Sequence, residues 1–129
     1  MMFAKRILPL SLLALVLVVH VGCAPTIVGT NMGVYRGMKL YSVSDKDVDT
    51  VYKATLDAMA KLQLDIKSKA KDVFSAKVVA RSADGKDITV DIRPIEDNKT
   101  KYTIQVGSFG NEARSRMIFT EIKNILMAR

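Results

Sequence analysis

Ile88-Thr89-Val90-Asp91-Ile92-Arg93 decides the fold of this chain. Apolar and polar residues alternate along it, so one face of an extended strand is apolar and the other wet. Three other stretches repeat the pattern. Leu64, Ile66 and Ser68 alternate with Asp65, Lys67 and Lys69; Ala76, Val78 and Ala80 with Lys77 and Arg81; Tyr102, Ile104 and Val106 with Thr103 and Gln105. Short polar connections join them: Lys71-Asp72, then Ala83-Asp84-Gly85-Lys86 with its Asp-Gly turn signal, then Glu96-Asp97-Asn98-Lys99. Short connections between half-apolar strands predict an antiparallel sheet with one face buried.

Two helical patterns flank these strands. Val48, Val51, Tyr52, Thr55, Ala58, Met59 and Leu62 recur at spacings of three and four, opposite Lys46, Asp49, Lys53, Asp57 and Lys61. Ser44 is the expected cap, and Asp45 and Asp47 favour the positive end of the helix dipole. The last helix starts at Asn111, with Glu112 in its first turn. Its apolar stripe is Ala113, Met117, Ile118, Ile122, Ile125 and Leu126, while Arg114, Arg116, Glu121 and Lys123 face out. Ahead of the first helix, Tyr35–Val43 reads as one strand, although Tyr41 and Val43 give its second face an apolar claim beside Met38 and Leu40.

The expected fold is α+β: a two-layer sandwich of about five antiparallel strands with both helices on one face, in the order β-α-β-β-β-β-α. The expected domain is residues 35–129.

The N-terminus sets the address. Lys5 and Arg6 precede an uncharged, largely apolar run of 15 residues, Ile7–Val21, followed by Gly22-Cys23. As a helix this run spans about 22 Å, short of the ~30 Å hydrocarbon core of a bilayer, and its length suits a cleaved secretory signal. His20-Val21-Gly22-Cys23 is similar to a lipobox, with His20 where an aliphatic residue is the norm. Residues 1–22 are therefore expected to be a lipoprotein signal cleaved between Gly22 and Cys23. Cys23 is then acylated, and residues 23–34, which carry no charge, form a tether. The competing expectation is an uncleaved anchor in the inner membrane. Ala24 after the cysteine carries no retention signal, so the outer membrane is the expected destination.

Cleavage removes most catalytic chemistry. Cys23 is the one cysteine of the chain and His20 the one histidine, so the mature protein keeps a blocked thiol and no imidazole. Asp45, Asp47 and Asp49 resemble the start of a calcium loop, but Thr50 and Leu56 stand where that loop needs Gly and Glu. The pairs Glu96 with Asp97 and Asp84 with Asp87 fall in polar turns, where nothing desolvates them. Ser68 with Lys69 and Ser75 with Lys77 belong to no nucleophile motif. No enzyme, cofactor or metal is expected. The charge is +7, and cleavage removes Lys5 and Arg6 with no acid, leaving +5. An exported chain of this charge suits anionic lipid, cell-wall polymer or an acidic protein, not nucleic acid.

One constellation invites a ligand. Gly107 and Gly110 precede the exposed N–H groups of the last helix, and Arg114 and Arg116 follow one turn on, a pattern suited to an anion or a partner contact. Phe109 between the glycines is expected to plug the core.

Val106-Gly107-Ser108-Phe109-Gly110-Asn111-Glu112, with Tyr35-Arg36-Gly37, Ala83-Asp84-Gly85 and the lipobox cysteine, resembles a family of small Gram-negative lipoproteins with a domain of unknown function. The resemblance covers most of residues 20–127. It implies an address and a fold but no activity. The element order is similar, more loosely, to the helix-grip domains of lipoproteins attached to outer-membrane barrel assembly machinery, and fold alone does not confer their role. The expected function is a non-enzymatic binding or assembly module, lipid-anchored in the outer membrane and facing the periplasm. The alternative is a carrier of an apolar or lipid ligand between sheet and helices, lined by Met59 and Met117.

Overall fold

The computed structural model describes residues 29–129. The signal segment 1–22, the Gly22–Cys23 cleavage point, Cys23 and the first part of the tether lie outside the described residues.

The fold is α+β, with six strands rather than five. In chain order they are β1 (Val34–Arg36), β2 (Lys39–Ser44), α1 (Val48–Lys61), β3 (Asp65–Lys71), β4 (Ala76–Arg81), β5 (Asp87–Pro94), β6 (Thr100–Val106) and α2 (Glu112–Met127). The sheet is antiparallel and open, in the order β1-β2-β6-β5-β4-β3. The additional strand comes from Tyr35–Val43, which is a hairpin. Gly37 and Met38 have φ of 57° and 70°, the paired left-handed conformation of a two-residue turn whose twist matches the strands it joins. Tyr35 then lies opposite Leu40 and Val34 opposite Tyr41, which explains why both faces of the stretch carry apolar residues.

The alternating strands behave as their period requires. Ala76, Val78, Ala80, Ile88, Val90, Ile92, Tyr102, Ile104 and Val106 are buried on one face. Both helices cover that face: α1 lies over β4 and β5, α2 over β2 and β6, and the two touch each other. Small residues, Ala54 and Ala58, lie in the buried stripe of α1 with Val51, Thr55 and Met59. Each fully buried Ile or Leu contributes about 1.5–3 kcal/mol. The outward face is wet and carries Lys39, Lys77, Asp91, Arg93 and Lys101, with Lys101 stacked 5.8 Å over the Tyr41 ring.

β3 departs from expectation. Its pattern resembles that of its neighbours, yet all seven residues are exposed. It is the outermost strand, touched by α1 without being buried under it, and its register with β4 shifts between Ile66 and Ser68. The cap of α1 is also not Ser44, which lies buried in β2 and accepts from the Lys46 N–H at 3.1 Å. Asp47 is the cap, its carboxylate accepting from the Thr50 N–H at 2.9 Å. On α2 the buried stripe is Ser115, Ile118, Phe119, Ile122 and Leu126. Ala113 and Met117 are exposed, and Arg114 is half-buried instead of facing out. Among the described residues no helix is long and apolar enough to cross a membrane.

The chain joins the domain firmly. Thr30 forms a parallel bridge to Val43, and the Asn31 N–H donates to the Val43 carbonyl at 2.7 Å. Gly33 lies so close to α2 that a Cβ there would meet the Phe119 ring at 2.9 Å. Thr30 to Val34, expected as tether, are thus already fastened to the sheet and to α2.

Candidate functional site

The sheet has two ends. At one, β2 finishes at Ser44 and β6 begins at Thr100; this is where Thr30 joins. At the other, β6 runs out at Val106 and the chain turns a corner into α2.

That corner brings together four of the five residues expected to form a contact. The Gly107 N–H donates to the Asp87 carbonyl at 2.7 Å, tying the corner to β5. Gly110 has a φ of 75°, and a Cβ there would lie 2.6 Å from the Met38 carbonyl oxygen and against the Tyr35 hydroxyl. Only glycine fits both the conformation and the space. Asn111 caps α2, its side chain accepting from the Arg114 N–H at 3.0 Å. Arg114 Nη1 pairs with Asp84 Oδ2 at 3.0 Å across the gap to the β4–β5 hairpin. Arg116, the fifth residue, turns away. It pairs with Glu112 at 3.1 Å and donates to the Gly33 carbonyl at 3.3 Å.

Electrostatically the corner is internally balanced. The Ser82 hydroxyl and then the Arg114 guanidinium hold the Asp84 carboxyl down to about 2. A carboxylate so stabilised keeps its charge at any physiological pH. The guanidinium that the sequence offers to an anion is engaged with this carboxylate.

Phe109 is not a core plug. It is 87% exposed. The left-handed glycines on either side, Gly107 and Gly110, swing Ser108 and Phe109 away from the sheet. The phenylalanine in the core is Phe119, whose ring stacks on Tyr102 at 6.4 Å between centroids. Open hollows flank the Phe109 ring. One of ≈430 Å³ is walled by Gly85, Lys86, Thr89 and Gln105; the other, of ≈380 Å³, by Asp84, Lys86, Asn111 and Arg114. Met38, 47% exposed, adjoins Gly110 at the same end. The result is a glycine-bracketed corner presenting a bare aromatic ring.

The other sequence candidates lie apart from it. Met59 is fully buried in the core while Met117 is half-exposed on the outside of α2, so the two line no common surface. Asp47 serves as a cap and Asp49 bridges Lys53 and Lys71 at 3.0 and 2.8 Å. Glu96 and Asp97 lie in an exposed turn at the far end of the sheet.

A protein-family model described as a protein of unknown function (DUF3568) matches residues 6–124 of the chain. No curated protein matches it.

Proposed function

The chain belongs to the DUF3568 family, and from that premise we propose that it is a lipid-anchored envelope protein whose domain is a non-enzymatic binding module. Residues 1–22 act as its signal, Cys23 as its acylated anchor in the outer membrane, and the α+β domain faces the periplasm. The contact surface is the Phe109 corner, and the partner is another envelope protein. Three features support the reading: the lipobox-like His20-Val21-Gly22-Cys23, the uncharged stretch after it, and the position of the corner at the end of the sheet away from the tether.

The observation that carries it is the exposed ring of Phe109 on a corner bracketed by two left-handed glycines. An aromatic side chain has few torsions to lose on binding and is a common centre of a protein interface. The flanking hollows offer room for a partner's side chains.

The anchor is tested by mass. The intact mass of the native protein is expected to match residues 23–129 plus a diacylglycerol and an acyl chain, and that of a Cys23→Ala variant to match the unprocessed chain. A native mass without acyl groups refutes the anchor. The contact is tested by a photocrosslinking residue in place of Phe109 in intact cells. A discrete adduct from that position, absent when the probe replaces Lys53 on the exposed face of α1, is the expected result. Equal labelling from both positions refutes the corner.

A further inference from the structure

The end of the sheet where the tether joins carries a second exposed apolar feature. Val73 and Phe74 form the two-residue tip between β3 and β4 and are 84% and 74% exposed. The tip is locked from below. Asp72 Oδ1 accepts from the Phe74 N–H at 2.7 Å and the Ser75 N–H at 2.8 Å, and the Asp72 N–H donates to the Ser75 carbonyl at 2.9 Å. Two adjacent apolar side chains are thereby fixed outward, with no path to the core. Ile95, 41% exposed, follows Pro94 on the neighbouring hairpin at the same end.

The distances suit one surface. Seven peptide steps separate Cys23 from Thr30, a reach of at most roughly 25 Å. From β2 to the β3–β4 tip is three to four strand spacings, about 15–19 Å. A bilayer holding Cys23 therefore lies within reach of the tip.

Charge at this end is mixed. Val43, beside Thr30, is the register partner of Lys101, and Lys101 of Arg93. With Lys77 on β4 these cations stand on the outward face near this end, and among the described residues none of the three forms an ion pair. Asp91, the register partner of Lys77, Glu96 and Asp97 on the β5–β6 turn, Asp72 beneath the tip, and Asp47 and Asp49, which share a hollow with Val73 and Ile95, offset that charge. Apolar insertion, which salt does not screen, therefore carries most of the contact.

We propose that this end of the domain is a membrane-contact face: Val73 and Phe74 enter the headgroup region of the bilayer that holds Cys23, with Ile95 beside them and Lys77, Arg93 and Lys101 against lipid phosphates. The proposal deepens the anchored reading above and rests on it for orientation. It places the Phe109 corner at the end that points away from the lipid.

The chain contains no tryptophan, so an introduced indole is a unique reporter. Full-length Phe74→Trp and Phe109→Trp proteins, purified from membranes, are reconstituted into phosphatidylethanolamine–phosphatidylglycerol vesicles with brominated acyl chains. The indole at position 74 is expected to emit at shorter wavelength and to be quenched by bromine, in low and high salt alike, while the indole at 109 is not quenched. Protein that floats with the vesicles but shows no quenching at 74 overturns the contact and leaves the anchor standing. Equal quenching at both positions overturns it too, since no particular end then faces the lipid. An indole at 74 that is shielded in native envelopes but not in pure lipid means a protein occupies the tip, and again the proposal falls. Protein that fails to float overturns both readings. The intact mass of the same sample separates the remaining case: quenching at 74 on a chain without acylated Cys23 keeps the contact and removes the anchor.

Discussion

Arg114, in the first turn of α2, reaches Asp84 at the tip of the β4–β5 hairpin, Nη1 to Oδ2 at 3.0 Å. This ion pair joins elements 30 residues apart and closes one side of the Phe109 corner. It is exposed, so its worth in stability is small.

The pair has a signature in acid. Asp84 is held down to about 2 from an ordinary value of 3.8, by Ser82 first and Arg114 second. A carboxyl whose pKa falls on folding contributes stability that is complete above its unfolded pKa and is lost as pH drops through its folded one. The contribution of Asp84 is thus whole above about pH 4 and gone below about pH 2. Asp47, Asp49 and Asp72 are lowered too and act in the same direction. An Asp84→Asn variant is expected to show a flatter acid limb than the native protein across that window. Urea midpoints taken across it provide the check, and parallel curves would refute the assignment.

Gly110→Ala is expected to destabilise the domain by about 2–3 kcal/mol, since it combines left-handed strain with a collision against the Met38 backbone. Gly37→Ala supplies the control. Gly37 has a φ of 57°, but a methyl group at its Cα would meet nothing within 4 Å, so its cost is about 1 kcal/mol. Thermal unfolding of both variants decides the order.

The two phenylalanines near α2 separate surface from core. Phe109→Ala is expected to change stability by less than about 0.5 kcal/mol, while Phe119→Ala, which empties the space against Tyr102 and Gly33, costs about 3–5 kcal/mol. Chemical denaturation distinguishes them. A large loss for Phe109→Ala would return that ring to the core.

Helix capping provides the last test. Asp47→Ala is expected to cost about 1 kcal/mol, whereas Asp45→Ala, whose side chain lies outside the cap, stays within about 0.5 kcal/mol of native. Equal costs would mean that Asp47 is not the cap.

The legible parts of this fold are those with a sustained period. Ala76–Ala80, Ile88–Ile92 and Tyr102–Val106 occupy the face that their alternation assigns, and α1 buries nearly the stripe its spacing marks. The β1–β2 hairpin is hidden because Met38 occupies a left-handed position where Asn or Gly is the usual signal. β3 misleads because alternation describes a strand and not what lies above it: α1 touches this edge strand but buries none of its residues. At the corner the glycines are visible in sequence, but the direction of Phe109 is not. It depends on the two left-handed glycines that flank the turn. The Val73-Phe74 tip, joined by Lys71-Asp72 to a strand of lysines, reads as an ordinary polar connection until Asp72 is seen turning both side chains outward.

β3 has a bearing on crowding. A sheet edge with free backbone groups is a template on which a second copy can add its own strand. Here that edge bears Lys67, Lys69 and Lys71, and its ladder is broken between Ile66 and Ser68. A strand docking there would have to dehydrate lysines and cross a register fault. Pairing of copies through this edge is therefore disfavoured even at high local density, and self-association through it is the failure that a Lys67→Val, Lys69→Val chain would invite.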